Sequence, residues 1–132
     1  MVIGIGSDLV DIRRIEKTLS RFGERFLNRI FSEVEREKSE SRIDKAASYA
    51  KRFAAKEAVS KALGTGFRKG IFWRDISVVN MPEGKPQIVL TGGALSHLTA
   101  MVPVGFRPQI DLSLSDDSFL AHAIVIITVV PN

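Results

Sequence analysis

Residues 44–63 constrain this chain most. From Asp44 to Leu63 there is no glycine and no proline, and alanine is the commonest residue, so the stretch is built from strong helix formers. Gly64-Thr65-Gly66 supplies the stop. A chain of 132 residues suits one compact domain, over 1–132, and is too short for two full ones.

The flanking segments read as shorter pieces. Val2–Gly6 suggests a strand ending in a Gly-Ser-Asp turn, and Asp11 can cap a helix running to about Arg21. Phe26–Ser39 suggests one or two short helices. Beyond the long helix the period changes. Ile76–Val79 and Gln87–Leu90 read as strands joined through Pro82-Glu83-Gly84-Lys85-Pro86. A short helix over Gly93–Met101 precedes two last strands near Gln109–Ser113 and Leu120–Val130. Ser113-Leu114-Ser115-Asp116 reads as a turn. This order predicts an α+β fold with a largely antiparallel sheet.

Two carboxylates contradict their surroundings. At roughly 100° per residue, Ala46, Ala50, Phe53 and Ala54 share one arc of the long helix, with Glu57 in its middle and Lys61 one turn further on. A desolvated carboxylate must find a cation or a proton. The simplest solution is a Glu57–Lys61 pair at i,i+4. Asp8 follows Gly4-Ile5-Gly6-Ser7, where small residues allow another backbone or a ligand to come close. Asp8 could cap the next helix, although Asp11 competes for that place. Asp8 and Glu57 together could hold one Mg²⁺, which commonly takes one or two carboxylates and completes its shell with water and phosphate oxygens.

Other chemistries fit less well. The chain has no cysteine, which excludes disulfides, thiolate metal sites and a thiol nucleophile. Leu9 stands where a dinucleotide fingerprint needs its third glycine, and Gly64-Thr65-Gly66 lacks the Gly-Lys-Ser/Thr ending of a Walker A loop. His97 and His122 are isolated. The amino terminus has no basic leader region, and the apolar run Ala123–Val130 is far short of the roughly 20 residues that span a bilayer. These features lead to the expectation of a cytoplasmic protein with no membrane partner. Residues 51–74 hold seven basic side chains against the single acid Glu57, which suggests a polyanionic ligand. A non-enzymatic, basic nucleic-acid-binding module is the competing class, but no reading motif accompanies the charge.

Two segments then resemble a known family. Gly4-Ile5-Gly6-Ser7-Asp8-Leu9-Val10-Asp11-Ile12-Arg13-Arg14-Ile15 is similar to the amino-terminal signature of the holo-[acyl-carrier-protein] synthases, the short bacterial-type group of 4′-phosphopantetheinyl transferases. Lys51-Arg52-Phe53-Ala54-Ala55-Lys56-Glu57-Ala58, continuing to Lys61 and Gly64-Thr65-Gly66, resembles the central signature. Gly84-Lys85-Pro86 and the late Ser-Leu-Ser-Asp follow in the expected order. The resemblance covers essentially the whole chain.

It implies an enzyme of fatty acid biosynthesis that moves phosphopantetheine from coenzyme A to a serine of apo-acyl carrier protein. The reaction would be Mg²⁺-dependent and release adenosine 3′,5′-bisphosphate. A homotrimer with active sites in the clefts between subunits, and no nucleic-acid partner, are also implied. Asp8 and Glu57 match the metal-binding acids, and Lys61 the phosphate-facing lysine. Arg52, Gly64, Gly84, Lys85 and Pro86 correspond to regions that contact coenzyme A. Arg14, Arg21 and Arg25 resemble the basic residues that dock the carrier protein. The general base would be Glu57, with Asp8 second. Asp116 departs from the pattern, since many members carry histidine there and a carboxylate cannot donate to a phosphate as an imidazolium can.

Overall fold

The computed structural model describes residues 1–132. Strand β1 (Val2–Asp11) leads into helices α1 (Ile12–Phe22), α2 (Glu24–Ile30) and α3 (Glu33–Glu40), followed by the long helix α4 (Lys45–Leu63). A 3₁₀ turn (Trp73–Asp75) opens the hairpin of β2 (Ile76–Asn80) and β3 (Pro86–Leu90). Helix α5 (Gly92–Met101) and the long hairpin of β4 (Phe106–Asp117) and β5 (Leu120–Pro131) complete the chain. Both sheets are antiparallel: one has the order β1-β5-β4, the other is the β2-β3 hairpin. The α+β expectation holds. No helix is long and apolar enough to cross a membrane.

Helix α4 is the axis of the core. Asp44 caps it, accepting from the Ala47 amide at 3.0 Å, and Gly64 ends it at φ +79°, in the left-handed region where a side chain is strained. Its alanines Ala50, Ala54, Ala55 and Ala58 are wholly buried. The arc expected to be apolar is buried along Ala46, Ala50 and Ala54 and opens only towards Glu57 and Lys61. Phe53 and Glu57 are half covered and Lys61 is exposed, while Tyr49, Arg52, Lys56 and Val59 are buried with the alanines on the other sides of the helix. Small side chains let neighbours approach all round the helix, so burial does not follow a single stripe.

The closest approach comes from β1. A Cβ on Gly6 would stand 1.8 Å from the carbonyl oxygen of Ala58, and one on Gly4 would stand 2.3 Å from that of Ala62. Strand β1 therefore lies directly on the α4 backbone, and only glycine fits at these two positions. The strand also runs further than its composition suggests. Ser7 and Asp8 are not in a turn but pair with Ile124 and Ala123, and β1 passes straight into α1 at Asp11. Ser113–Asp116 is likewise not a turn but the interior of β4, paired with Ile124 to Ala121 of β5.

A buried ion pair joins α3 and the β2 hairpin to α4. Lys56 and Glu35 are both completely inaccessible and meet at 2.7 Å. Glu35 caps α3 reciprocally with Ser32 and also accepts from the Val78 amide at 2.8 Å. Lys56 donates to the carbonyls of Trp73, at 3.2 Å, and Ile76. Burial pushes the Lys56 ammonium down from its ordinary range, and Glu35 opposes that shift. Every charge in this pair is hydrogen-bonded, as a buried ion pair requires.

Gly6→Ala should destabilise the protein by about 3 kcal/mol or more, because the new methyl can be accommodated only by lifting β1 off α4. Urea unfolding of the variant checks this; an unchanged midpoint would show that the strand does not rest on the helix as described.

Candidate active site

The contact between β1 and α4 brings the two misplaced carboxylates to one place. Asp8 projects from the inner face of β1 towards α4, and Lys61 donates to its Oδ1 at 2.9 Å and to the Ser7 carbonyl at 3.0 Å. Lys61 thus pairs with Asp8, 53 residues away in sequence, rather than with Glu57 one turn back. Glu57 faces the same group. Burial pushes its carboxyl above the usual range, the Asp8 carboxylate adds to that rise, and Lys61 opposes it. Gly64 lies one turn beyond Lys61, exposed, at the end of α4.

Two carboxylates repelling each other across a half-open space, beside one lysine, form a donor set suited to a hard divalent cation. The set leaves room for phosphate oxygens, as Mg²⁺ prefers. Asp8 and Glu57 are the residues that could hold such an ion, and Lys61 could meet a phosphate next to it. These three and no third carboxylate converge here.

The other coenzyme A candidates lie elsewhere on this chain. Arg52 is five residues before Glu57, which places it about 140° round the helix. There it lines a cleft of about 580 Å³ with Lys51, Asn80, Pro86 and Asp116. Arg52 is 5% exposed; its Nη1 donates to the Ser48 carbonyl and hydroxyl, and its Nη2 to Asn80 Oδ1 at 3.3 Å. Asn80 in turn donates to the Gly84 carbonyl at 3.0 Å, so the exposed turn of Gly84 and Lys85 hangs from the same network. Lys51 enters the sequence reading only as a basic residue of the central signature, and Asn80 does not enter it. Nothing local marks either for this cleft, which forms only when the β2-β3 hairpin and β4 meet α4.

Arg14 and Arg21 are exposed on α1, and Arg25 on α2. Arg21 lies over the Phe22 ring at 5.1 Å, and Arg25 borders a groove with Thr18, Phe22, Phe26 and Arg29. Folding takes four of the seven basic residues of 51–74 out of the free charge: Lys56 and Arg52 are buried, and Lys51 and Lys61 are paired with Asp116 and Asp8. Arg68, Lys69 and Arg74 stay exposed. The histidines serve the fold: His97 hydrogen-bonds the Leu63 carbonyl at the end of α4, and His122 bonds Ser7 across the sheet.

A raised carboxyl pKa means that the unfolded chain releases the Glu57 proton first. Stability therefore falls as pH rises from the ordinary carboxylate range through the raised value. Glu57→Gln removes that loss, so the metal-free variant should melt higher than the parent at pH 8 and no higher at pH 4. Equal melting temperatures at pH 8 would show that Glu57 is not under strain.

Known proteins show the family of this chain. The family model of the 4′-phosphopantetheinyl transferase superfamily matches residues 4–108. Over 131 residues, 99% of this chain and 94% of the relative, it is 63% identical to a holo-[acyl-carrier-protein] synthase of Sinorhizobium fredii. A synthase of the same name from Chelativorans is 62% identical across 98% of both chains. Among solved structures, the holo-[acyl-carrier-protein] synthase of Neisseria meningitidis superposes with a TM-score of 0.83 at 34% identity, covering 97% of this chain and 99% of that one. The Helicobacter pylori synthase, solved in complex with coenzyme A, gives a TM-score of 0.80 at 35% identity over 94% and 99%. The chain belongs to the 4′-phosphopantetheinyl transferase superfamily, with the holo-[acyl-carrier-protein] synthases.

Proposed function

We propose that this protein transfers 4′-phosphopantetheine from coenzyme A to a serine hydroxyl of an apo-acyl carrier protein, leaving adenosine 3′,5′-bisphosphate. The observation that carries this reading is the convergence of Asp8, Glu57 and Lys61 on a chain whose full-length relatives are named for that activity.

The reaction joins the serine oxygen to the β-phosphorus and breaks the bond from that phosphorus to the oxygen bridging to the nucleotide phosphate. Such transfers depend on positioning and charge neutralisation more than on covalent help from the protein. Mg²⁺ held by Asp8 and Glu57 would supply positive charge to the diphosphate. Lys61, fixed by Asp8 and the Ser7 carbonyl, is placed to neutralise charge on the leaving phosphate. Glu57 is the candidate to accept the serine proton, directly or through a water, with Asp8 the second.

The cleft around Arg52 and Pro86 is the candidate seat of the nucleotide end of coenzyme A. It and the Asp8 group lie on different sides of α4, which supports a site assembled between neighbouring subunits of a homotrimer. The outer face of the three-stranded sheet also supports association, since Ile5 is 66% and Leu9 62% exposed side by side with Ile124. Light scattering should give three times the 14.6 kDa of one chain, and Ile5→Asp should lower it. A monomeric parent would remove the shared site. The exposed basic surface of α1 and α2 that carries Arg14, Arg21 and Arg25 is the candidate dock for the acidic carrier protein.

Intact-mass spectrometry of an apo-acyl carrier protein incubated with this protein, coenzyme A and Mg²⁺ tests the reading directly. A gain of one phosphopantetheine, abolished by EDTA, is expected; no gain on any of several carrier proteins would overturn it. Arg14→Glu should raise the KM for carrier protein at least about ten-fold, the effect of losing one good charge contact, with little change in that for coenzyme A. Equal changes in both would argue against docking there.

A further inference from the structure

The cleft around Arg52 carries its own anion. Three cations line it: Arg42, Lys51 and Arg52. Arg52 is held only by neutral oxygens of Ser48 and Asn80, and its Nε is buried with no partner at all. Lys51 alone among the three is ion-paired, its Nζ lying 2.9 Å from Oδ1 of Asp116. Asp116 reaches it because β4 continues through Ser115. The residue is paired with the buried Ala121, on the face of the sheet that looks at α4, whereas Ser113 and Ser115 point the other way. The remaining acid, Asp44, is occupied as the α4 cap.

We propose that Asp116 is an internal counter-ion of this cleft, holding Lys51 until a phosphate of the coenzyme A nucleotide replaces it, and so sets the affinity for that end of the co-substrate. This rests on the transferase reading. The ligand brings negative charge to a place where a carboxylate already stands, so binding requires the Lys51–Asp116 pair to open or to share its cation. Lys51 and Asp116 side chains are 29% and 38% exposed, accessible enough to exchange partners. A half-exposed pair of this kind changes an equilibrium by up to about five-fold. Asp116 is thus a specificity-determining residue acting through Lys51, not one that touches the reacting atoms.

Calorimetric titration of the full-length protein with adenosine 3′,5′-bisphosphate provides the test. Asp116→Asn should bind the probe about five-fold tighter than the parent, and Lys51→Met should bind it more weakly. In the Lys51→Met background the gain from Asp116→Asn should differ from that in the parent, because the carboxylate then has no cation to hold. Asp116→Ser should repeat the result if the amide disturbs β4. Unchanged or weaker binding by Asp116→Asn and Asp116→Ser, or the same gain with Lys51 removed, would overturn the proposal while leaving the transferase reading intact. Failure of the parent to bind the nucleotide at all would count against both.

Discussion

Two glycines lying on a helix backbone organise this molecule. Gly4 and Gly6 allow β1 to rest on the carbonyls of Ala62 and Ala58, closer than any residue with a Cβ could come. Asp8 is two residues beyond Gly6, and so on the same face of the strand. Glu57 precedes Ala58, and Lys61 precedes Ala62. The steric contact and the chemical site are therefore interleaved along the same two elements. Alanine at α4 and glycine at β1 contribute little apolar area each, but their smallness sets the distance at which the carboxylates face one another.

That arrangement places like charges together, which is unfavourable without a ligand. Burial pushes the Glu57 carboxyl up first, the Asp8 carboxylate adds to that push, and Lys61, ion-paired with Asp8, offsets part of it. Rigidity elsewhere holds the arrangement in place. The Lys56–Glu35 pair immediately before Glu57 anchors α4 to α3 and to β2 with all its hydrogen bonds satisfied. Neighbouring residues on one helix thus have opposite roles. Lys56 points into the core and fixes the helix, while Glu57 points to the open side and is left in need of a cation.

The elements with strong local signals were legible in the sequence. The uninterrupted alanine-rich stretch and its Gly64 stop mark α4, and the Pro-Glu-Gly-Lys-Pro turn marks the β2-β3 hairpin. The strands that were shortened or missed share one cause. Glycine and aspartate are poor strand formers, so Gly6-Ser7-Asp8 and Ser113-Leu114-Ser115-Asp116 read as turns. In β1 a long-range contact demands the glycines. In β4 the alternation of Leu112 and Leu114 with Ser113 and Ser115 was the strand signal, hidden by turn-forming composition. Asp8 and Glu57 were found because each contradicts its surroundings. The actual partner of Lys61 was not, since proximity across 53 residues leaves no trace in spacing. The family resemblance supplied the reaction, which no periodicity could.

The glycine contact sets Asp8 and Glu57 together as a candidate divalent-cation site. Anomalous diffraction from crystals grown with Mn²⁺ and coenzyme A locates the ion directly. One strong peak within coordination distance of both carboxylates is expected, lost in Glu57→Gln. A peak confined to other residues, or the same peak in the variant, would contradict it.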